Sequence, residues 1–304
     1  MHYYIQYQED FYKSLNIEIT PTMTGALFFK ILELIRFPIS EQMEGLTKFA
    51  INELITNSIR ASREQSTNNN IKLCLKIHDD FLFINIIDFA GGFDITQLPY
   101  DVNKNPHELD LLSETFDEYR TENKHLRFGV GLLSSRKILT NFRMYFFDKN
   151  GNEKTWDGEG SVSGTKIEAK IKLDYAAQDD LKINQERRKS KRQTIFTHII
   201  INEEKEAYLI DFTPEGAKIM LFFSDIIKKG DDIRVTMCLN AKSDKVTIPA
   251  KVIWESTEYN VYQAGLFFKI NDPELTATLL KFYTSLKYDP LKVPGVYIIA
   301  DKEN

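Results

Sequence analysis

Halfway along this 304-residue chain, the spacing of apolar residues changes from helical to strand-like. In the first half Ile51, Ile55 and Ile59 recur every four residues, which predicts a long helix over residues 41–65 with one face in a core. The second half contains short strand-like runs at regular spacing. Residues 175–192 between the halves are polar and follow no strand pattern. The sequence therefore predicts two domains and a linker, and each half is long enough to bury a core.

The first half mixes helices with strands. A strand at 17–19 and a helix at 26–36 precede the long helix, and strands at 72–77 and 81–87 follow it. A last alternating run at 167–173 closes this half. Residues 94–127 are polar and aperiodic, and a loop of that length inside a domain is usually functional or disordered.

The second half predicts a small antiparallel barrel with a helix after it. The helix is expected over residues 273–287, with apolar residues on one side. Six strand-like runs at short spacing are typical of a barrel. They cover residues 194–201, 207–212, 217–222, 233–240, 246–254 and 263–269.

The charge of the chain argues against two classes of partner. A formal net charge of -5 disfavours general binding to nucleic acids or membranes, because both are polyanionic. We find no signal-peptide pattern and no apolar run of membrane-spanning length, so a cytoplasmic location is expected. Residues 187–192 are a local exception, since Arg187, Arg188 and Arg192 lie there among further basic side chains.

Two short motifs of the first half suit nucleotide chemistry. Glu53 and Asn57 are four residues apart and share one helix face, with Arg60 one turn beyond. Such a carboxylate suits a general base, and such a carboxamide oxygen suits Mg²⁺. Asp88 follows a buried strand, where its carboxylate would accept a hydrogen bond from the exocyclic amine of adenine. Small residues up to Gly92 would let the backbone approach the purine.

Two further motifs complete the set. Gly129 and Gly131 precede a helix predicted over residues 134–139, and glycines before a helix N-terminus form a cradle for phosphate. Thr165 opens the last strand after a glycine. Each motif by itself is common in proteins, so the prediction of a nucleotide-binding site depends on the order of the four motifs along the chain.

In this order, the four motifs resemble the GHKL ATP-binding family, which includes histidine kinases, type II topoisomerases and anti-sigma-factor serine kinases. The resemblance covers residues 15–174 and implies a Bergerat α/β sandwich with residues 94–127 as the ATP lid. It implies Glu53 as the catalytic base and Asn57 as the Mg²⁺ ligand. The ATP-binding residues would be Asn57, Asp88, Gly92, Gly129, Gly131 and Thr165.

The amino-acid sequence of the long helix is most similar to that of the anti-sigma-factor kinase branch. Members of that branch are often dimers and phosphorylate a serine of a partner protein. No segment resembles the phosphoacceptor helix of a histidine kinase. Ala90 departs from the family, because it stands where the first glycine is usual. Its methyl group is expected to crowd the purine and weaken nucleotide binding.

The second half contains a different pair of motifs. Arg188 and Arg192 form an R-x-x-x-R pair in the basic stretch, and Asp211, Thr213 and Gly216 follow a predicted strand. Arginine pairs with phosphates in a bidentate manner and also reaches the O6 and N7 atoms of guanine or stacks on its face. Asp211 and Thr213 would accept hydrogen bonds from the N1–H and amino groups of guanine.

These motifs resemble the PilZ family of cyclic di-GMP receptors over residues 186–282, with a threonine in place of the usual serine. The resemblance implies that cyclic di-GMP contacts Arg187, Arg188, Arg192, Asp211, Thr213 and Gly216. The expected fold class is thus α+β: a GHKL sandwich in residues 1–174, a linker in 175–192, and a six-stranded antiparallel PilZ β-barrel with a C-terminal helix and tail in 193–304.

Two functions remain open from the sequence. In the first, the chain is an ATP-dependent serine/threonine kinase or ATPase that cyclic di-GMP regulates, with Glu53 as the base. In the second, it is a non-catalytic ATP-binding adaptor whose binding to a partner protein follows the level of cyclic di-GMP. The sequence leaves open the identity of the partner, the direction of regulation, and the choice between monomer and homodimer.

Overall fold

The computed structural model describes residues 3–7, 10–92, 95, 98–102, 104–109, 118, 130–154, 162–174, 193–221, 227–239, 245–258, 261–285 and 296–301. The chain divides into two compact units. Unit 1 comprises Met1–Leu181 together with Lys292–Asn304, and unit 2 comprises Lys182–Leu291.

Unit 1 has helices, strands and one short 3₁₀ turn among its described residues. Its helices are α1 (Gly25–Leu32), α2 (Glu41–Glu64) and α3 (Val130–Ile138), and the 3₁₀ turn is Pro106–Glu108. Its strands are β1 (Ile5–Tyr7), β2 (Asp10–Tyr12), β3 (Ser14–Ile19), β4 (Ile35–Arg36), β5 (Ile71–His78), β6 (Phe81–Asp88), β7 (Thr140–Phe147), β8 (Glu153–Lys154), β9 (Gly164–Lys172) and β16 (Val296–Asp301).

A seven-stranded antiparallel sheet forms the framework of unit 1, in the order β16-β3-β5-β6-β9-β7-β8. Helix α2 confirms the predicted long helix, and Ile51, Ile55 and Ile59 are buried as their spacing predicted. Alternate residues of β5 and β6 are also buried, including Leu75 and Ile84. The apolar periodicity thus fixed which face of each element enters the core.

The N-terminal part of unit 1 differs from the prediction. The helix expected at 26–36 ends at Leu32, and residues Ile35–Arg36 form β4 instead. This strand pairs with β1 in a separate sheet of order β2-β1-β4. The apolar residues of this stretch suit either a helix or a strand, so the pairing with β1 decided the outcome.

A buried group of charges links β4 to α2. The Glu44 carboxylate accepts hydrogen bonds from Arg36 Nε at 3.0 and 3.1 Å and from the Phe37 amide at 3.1 Å. Lys48 Nζ lies 3.3 Å from Glu44 Oε1 and 3.6 Å from Glu33 Oε1. Because the Glu44 and Lys48 side chains are each only 5% exposed, both charges depend on these partners.

Unit 2 is a closed six-stranded antiparallel barrel of order β10-β11-β12-β15-β14-β13, as the strand pattern predicted. One helix follows it, α4 (Pro273–Ser285), and Leu279 of α4 is buried in the barrel core together with Phe212 and Phe268. The strands are β10 (Gln193–Ile201), β11 (Lys205–Thr213), β12 (Gly216–Leu221), β13 (Asp232–Cys238), β14 (Lys245–Glu258) and β15 (Val261–Phe268).

The C-terminal tail does not stay with the barrel. Strand β16 pairs with β3 over six residues, from Val296↔Ile19 to Asp301↔Ser14, and so belongs to the sheet of unit 1. The sequence pattern predicts this tail as part of the barrel domain at residues 193–304. Apolar alternation predicts a strand but not its partner, and without β16 the strand β3 would be at the edge of the sheet, with a row of backbone groups for another strand to pair with. Within the described residues, no helix is both long and apolar enough to cross a membrane.

Candidate functional site

Helix α2 carries the two residues predicted for catalysis and metal binding. Glu53 and Asn57 are both half-buried, one turn apart. A side chain at Gly131, in the first turn of α3, would collide with Glu53 Oε2. The absence of a side chain at Gly131 therefore lets the Glu53 carboxylate lie against the backbone of α3. The structure thus brings together two of the predicted motifs, although α3 begins at Val130 and not at residue 134, so Gly131 lies inside the helix, and Gly129 is outside the described residues.

The side-chain oxygen of Asn57 already has a partner. Arg60 Nη2 donates a hydrogen bond to Asn57 Oδ1 at 2.7 Å, and Arg60 is exposed. A Mg²⁺ ion bound to this oxygen would lie next to the positive charge of the guanidinium unless Arg60 turned away. Among the described residues, no group of three or more His, Cys, Asp or Glu side chains could hold a metal. A single amide oxygen fits Mg²⁺ only if water and phosphate oxygens supply most of its ligands.

Asp88 is a buried carboxylate at the end of β6. Ser58 Oγ donates a hydrogen bond to Asp88 Oδ2 at 2.7 Å, and the Ala90 amide donates to Asp88 Oδ1 at 3.2 Å. Thr165 is directly opposite Asp88 in the register of β6 and β9, and its amide also donates to the carboxyl group. Burial raises the pKa of Asp88, and the hydrogen bonds from Ser58, Ala90 and Thr165 oppose that shift.

The turn after Asp88 is packed tightly against the start of β9. Gly91 and Gly92 have φ angles of +82° and +64°, which favour glycine, and a side chain at Gly92 would collide with Val162. The Gly91 amide donates to the Ser163 carbonyl at 3.1 Å. Ala90 in the same turn is completely buried. Its methyl group is therefore enclosed by protein, which removes the reason to expect that it crowds a ligand.

The described part of the predicted lid contacts α3. Arg136 Nη2 donates a hydrogen bond to the Lys104 carbonyl at 2.8 Å, and its guanidinium lies 6.0 Å from the centre of the Tyr100 ring. Burial lowers the pKa of Arg136, while Tyr100 and Asp101 act in the opposite direction. Most of residues 94–127, including those next to Gly129, are outside the described residues.

In unit 2, Asp211 fixes a bulge between two barrel strands. The register of β11 and β12 shifts between Leu209 and Asp211, and Asp211 Oδ1 accepts a hydrogen bond from the Lys218 amide at 2.9 Å. The next residue, Phe212, points into the core and is completely buried. Because successive side chains of a strand point to opposite faces, the Asp211 carboxylate lies on the outer face of the barrel.

Thr213 and Gly216 build the turn that follows. Thr213 Oγ1 donates to the Gly216 carbonyl and accepts from the Glu215 amide, both at 3.3 Å. A side chain at Gly216 would collide with the Leu266 carbonyl oxygen of β15. All three described residues of this motif therefore have a role in shaping the hairpin, whether or not a ligand binds.

The barrel register places further side chains in the same outer row as Asp211. Lys218 is opposite Asp211, Gly265 is opposite Lys218, and Trp254 is opposite Gly265. The Trp254 indole covers Gly265, since a side chain there would collide with indole Nε1. The sequence motifs did not identify Lys218 or Trp254 as site residues, because strand register alone brings them to this row.

The basic part of the predicted ligand site, Arg187, Arg188 and Arg192, is outside the described residues. In the sequence Arg192 directly precedes β10, and β10 pairs with β11, the strand that carries Asp211.

No protein-family model matches the chain, and no curated protein matches it. Solved structures give matches at low identity. Bacillus subtilis inhibitor of motility (MotI/DgrA) is 11% identical, with 91% of this chain and 96% of that one covered at a TM-score of 0.31. Escherichia coli YcgR in complex with c-di-GMP is 12% identical, with 78% of this chain and 90% of that one covered at a TM-score of 0.27. The PilZ domain of CeSA from a cellulose-synthesizing bacterium is 10% identical, with 33% of this chain and 100% of that one covered at a TM-score of 0.28.

Proposed function

We propose that this chain is a signalling protein that responds to cyclic di-GMP through unit 2 and binds Mg-ATP through a GHKL-type unit 1. The main observation that supports nucleotide binding by unit 1 is the buried Asp88 carboxylate. It lies at the end of a central strand, and α2 brings Ser58 against it, only five residues beyond Glu53.

The surroundings of Asp88 support adenine as its ligand. A carboxylate has more acceptor positions than the three donors that contact Asp88, so it retains capacity for the amine of the purine. The glycine turn and the start of β9 bring backbone close to the same group. The contact between Glu53 and Gly131 links this helix to the predicted phosphate cradle at the start of α3.

The barrel supports cyclic di-GMP as the second ligand. Asp211 is held on the outer face, and the basic run that contains Arg188 and Arg192 directly precedes β10. In the same outer row, Lys218 offers a further cation next to Asp211, and Trp254 offers an aromatic surface two strands beyond Lys218. Phosphate and guanine require this combination of cations, acceptors and aromatic surface.

Two activities fit unit 1. The position of the Glu53 carboxylate against the backbone of α3 favours an ATP-dependent kinase or ATPase in which Glu53 is the base. The hydrogen bond from Arg60 to Asn57 Oδ1 favours the second candidate, an adaptor that binds nucleotide without turnover, because it places a positive charge against the oxygen expected for Mg²⁺. In either case a partner protein would receive the signal.

Calorimetric titration with Mg-ATP tests the nucleotide site. Asp88→Asn replaces an acceptor-only group by an amide and should weaken ATP binding about 10- to 100-fold. Asp79→Asn is the matched control, since Asp79 lies at the other end of β6, is 81% exposed and undergoes the same chemical change. Equal affinity of the Asp88 variant and the wild-type protein would refute the role of Asp88.

Titration with cyclic di-GMP tests unit 2. Arg188→Ala with Arg192→Ala should abolish binding at micromolar concentration, because each arginine contributes about 1.5–3 kcal/mol through charge-assisted hydrogen bonds. Lys189→Ala with Lys191→Ala removes the same charge from the same segment outside the R-x-x-x-R pair, and should weaken binding much less. If the two double variants lose similar amounts of affinity for cyclic di-GMP, the segment acts as a nonspecific basic stretch and the R-x-x-x-R pair has no special role.

The coupling between cyclic di-GMP binding and ATP binding is tested by comparing how each ligand changes the affinity for the other. If cyclic di-GMP changes the ATP dissociation constant by some factor, ATP must change the cyclic di-GMP constant by the same factor. Each titration is therefore repeated with the other ligand saturating. If both constants, ATP turnover and partner capture are unchanged by the second ligand, the two units are tethered without regulation.

A further inference from the structure

Ser58 is a buried polar residue in the apolar part of α2 that none of the sequence motifs explains. It directly follows Asn57 and is 6% exposed, and its neighbours Ile55 and Ile59 are buried in the core. Its hydroxyl donates a hydrogen bond to Asp88 Oδ2 at 2.7 Å. The serine thus joins the helix with the predicted metal ligand to the carboxylate predicted to recognise the purine.

The groups around Asp88 determine whether it accepts or donates hydrogen bonds. The hydroxyl of Ser58 comes from α2, and the amides of Ala90 and Thr165 come from the following turn and from β9. All three are neutral donors, and each is satisfied best by an ionised carboxylate, which only accepts. Burial acts against them, because it raises the pKa of Asp88 and favours the protonated form.

We propose that Ser58 is a specificity-determining residue of the nucleotide site: its hydroxyl keeps Asp88 an acceptor, so that the site takes 6-aminopurines and rejects 6-oxopurines. This proposal rests on the proposed binding of ATP at Asp88. An amino group donates to the carboxylate, whereas an oxo group in its place would set its lone pairs against the negative charge. A protonated Asp88 would lose this discrimination, since its hydroxyl would donate to an oxo group.

The sign of the pH dependence follows from this scheme. Removal of the Ser58 hydroxyl takes away a donor that lowers the pKa of Asp88, so the pKa rises. The preference for an amino over an oxo purine should therefore be lost at a higher pH in the Ser58→Ala variant than in the wild-type protein. A serine that only fills space in the core would change stability but not this pH profile.

The experiment compares the affinities for ATP and ITP, which differ at the 6-position of the purine, in a series from about pH 8 downward as far as the protein stays folded. At the top of the series the wild-type protein should prefer ATP by at least about 10-fold. Ser58→Ala should lose that preference at a higher pH than the wild type does, and Ser58→Thr, which keeps a hydroxyl, should follow the wild type. Asp88→Asn should favour ITP relative to the wild type, because its amide donates.

A second measurement does not require nucleotide. The Asp88 carboxyl carbon, assigned with Asp88→Asn, is titrated by NMR in the free protein, and its midpoint should be higher in Ser58→Ala than in wild type. Ser58→Cys, which is close in size but a weaker donor, gives the same comparison should the alanine variant fail to fold. Thermal melting of each variant reports folding separately.

The outcomes distinguish the two proposals. If wild-type protein binds neither ATP nor ITP, the nucleotide site is refuted, and the specificity role falls with it even if the midpoint moves. If the wild type prefers ATP and the preference of Ser58→Ala follows the same pH profile as that of the wild type, Ser58 has no part in specificity although the site stands. An unchanged Asp88 midpoint in Ser58→Ala also overturns the proposal.

Discussion

Glu44→Gln should destabilise unit 1 more than any surface change on the same helix. The substitution keeps the shape of the side chain but removes the charge that Arg36 and Lys48 share. Lys48 would then keep only Glu33, 3.6 Å away, while its own side chain stays 5% exposed. Arg36, 35% exposed, retains access to water. The uncompensated charge at Lys48 therefore dominates the cost.

Breaking a buried ion pair from one side costs about 3–5 kcal/mol, a large part of the roughly 5–15 kcal/mol that stabilises a domain. For a unit of this size, each kcal/mol lowers the melting temperature by about 2–4 °C, so the expected fall is about 6–20 °C. Adding Lys48→Met to Glu44→Gln should recover part of the loss, because the second change removes the buried charge.

Differential scanning calorimetry of the full chain is the assay, since two units need not unfold in one transition. One transition should fall in Glu44→Gln and the other should stay in place. Glu41→Gln is the control: the chemistry is identical and the residue lies on the same helix, but it is exposed. If the two variants melt within about 1 °C of each other, the burial of the Glu44 charge does not stabilise unit 1 as argued.

Three further outcomes are expected. Gly216→Ala should lower the melting temperature of the barrel by several degrees, about 1–3 kcal/mol, because the new methyl group meets a backbone oxygen of Leu266 that has no freedom to move aside. Gly45→Ala should stabilise α2 by about 0.5–1 kcal/mol in the same calorimetric experiment, since nothing lies within 4 Å of the added atom. Glu53→Gln should keep the ATP affinity measured by titration and lose turnover if Glu53 is the base, whereas a wild-type protein without any turnover would favour the adaptor.

The sequence by itself determined the elements whose pattern is local. The spacing of Ile51, Ile55 and Ile59 gave α2 and its buried face, and six strand-like runs gave the strands of the barrel. The motifs also marked positions where another group approaches the backbone closely, namely the Glu53 carboxylate at Gly131 and the Leu266 carbonyl at Gly216. Apolar periodicity and the placement of glycines reflect constraints between residues that are close in sequence. They can therefore be interpreted without knowledge of the fold.

Only the tertiary structure decided which distant residues meet. It paired the C-terminal strand with β3 of unit 1, brought Ser58 to Asp88 across 30 positions of sequence, and gave Glu44 and Lys48 a buried site where charges are costly. Alternation along a strand indicates a buried face but not the neighbouring strand, and a serine or glutamate in a helix gives no local sign of its partner. Those contacts follow from the register and packing of whole elements, which the local pattern does not contain.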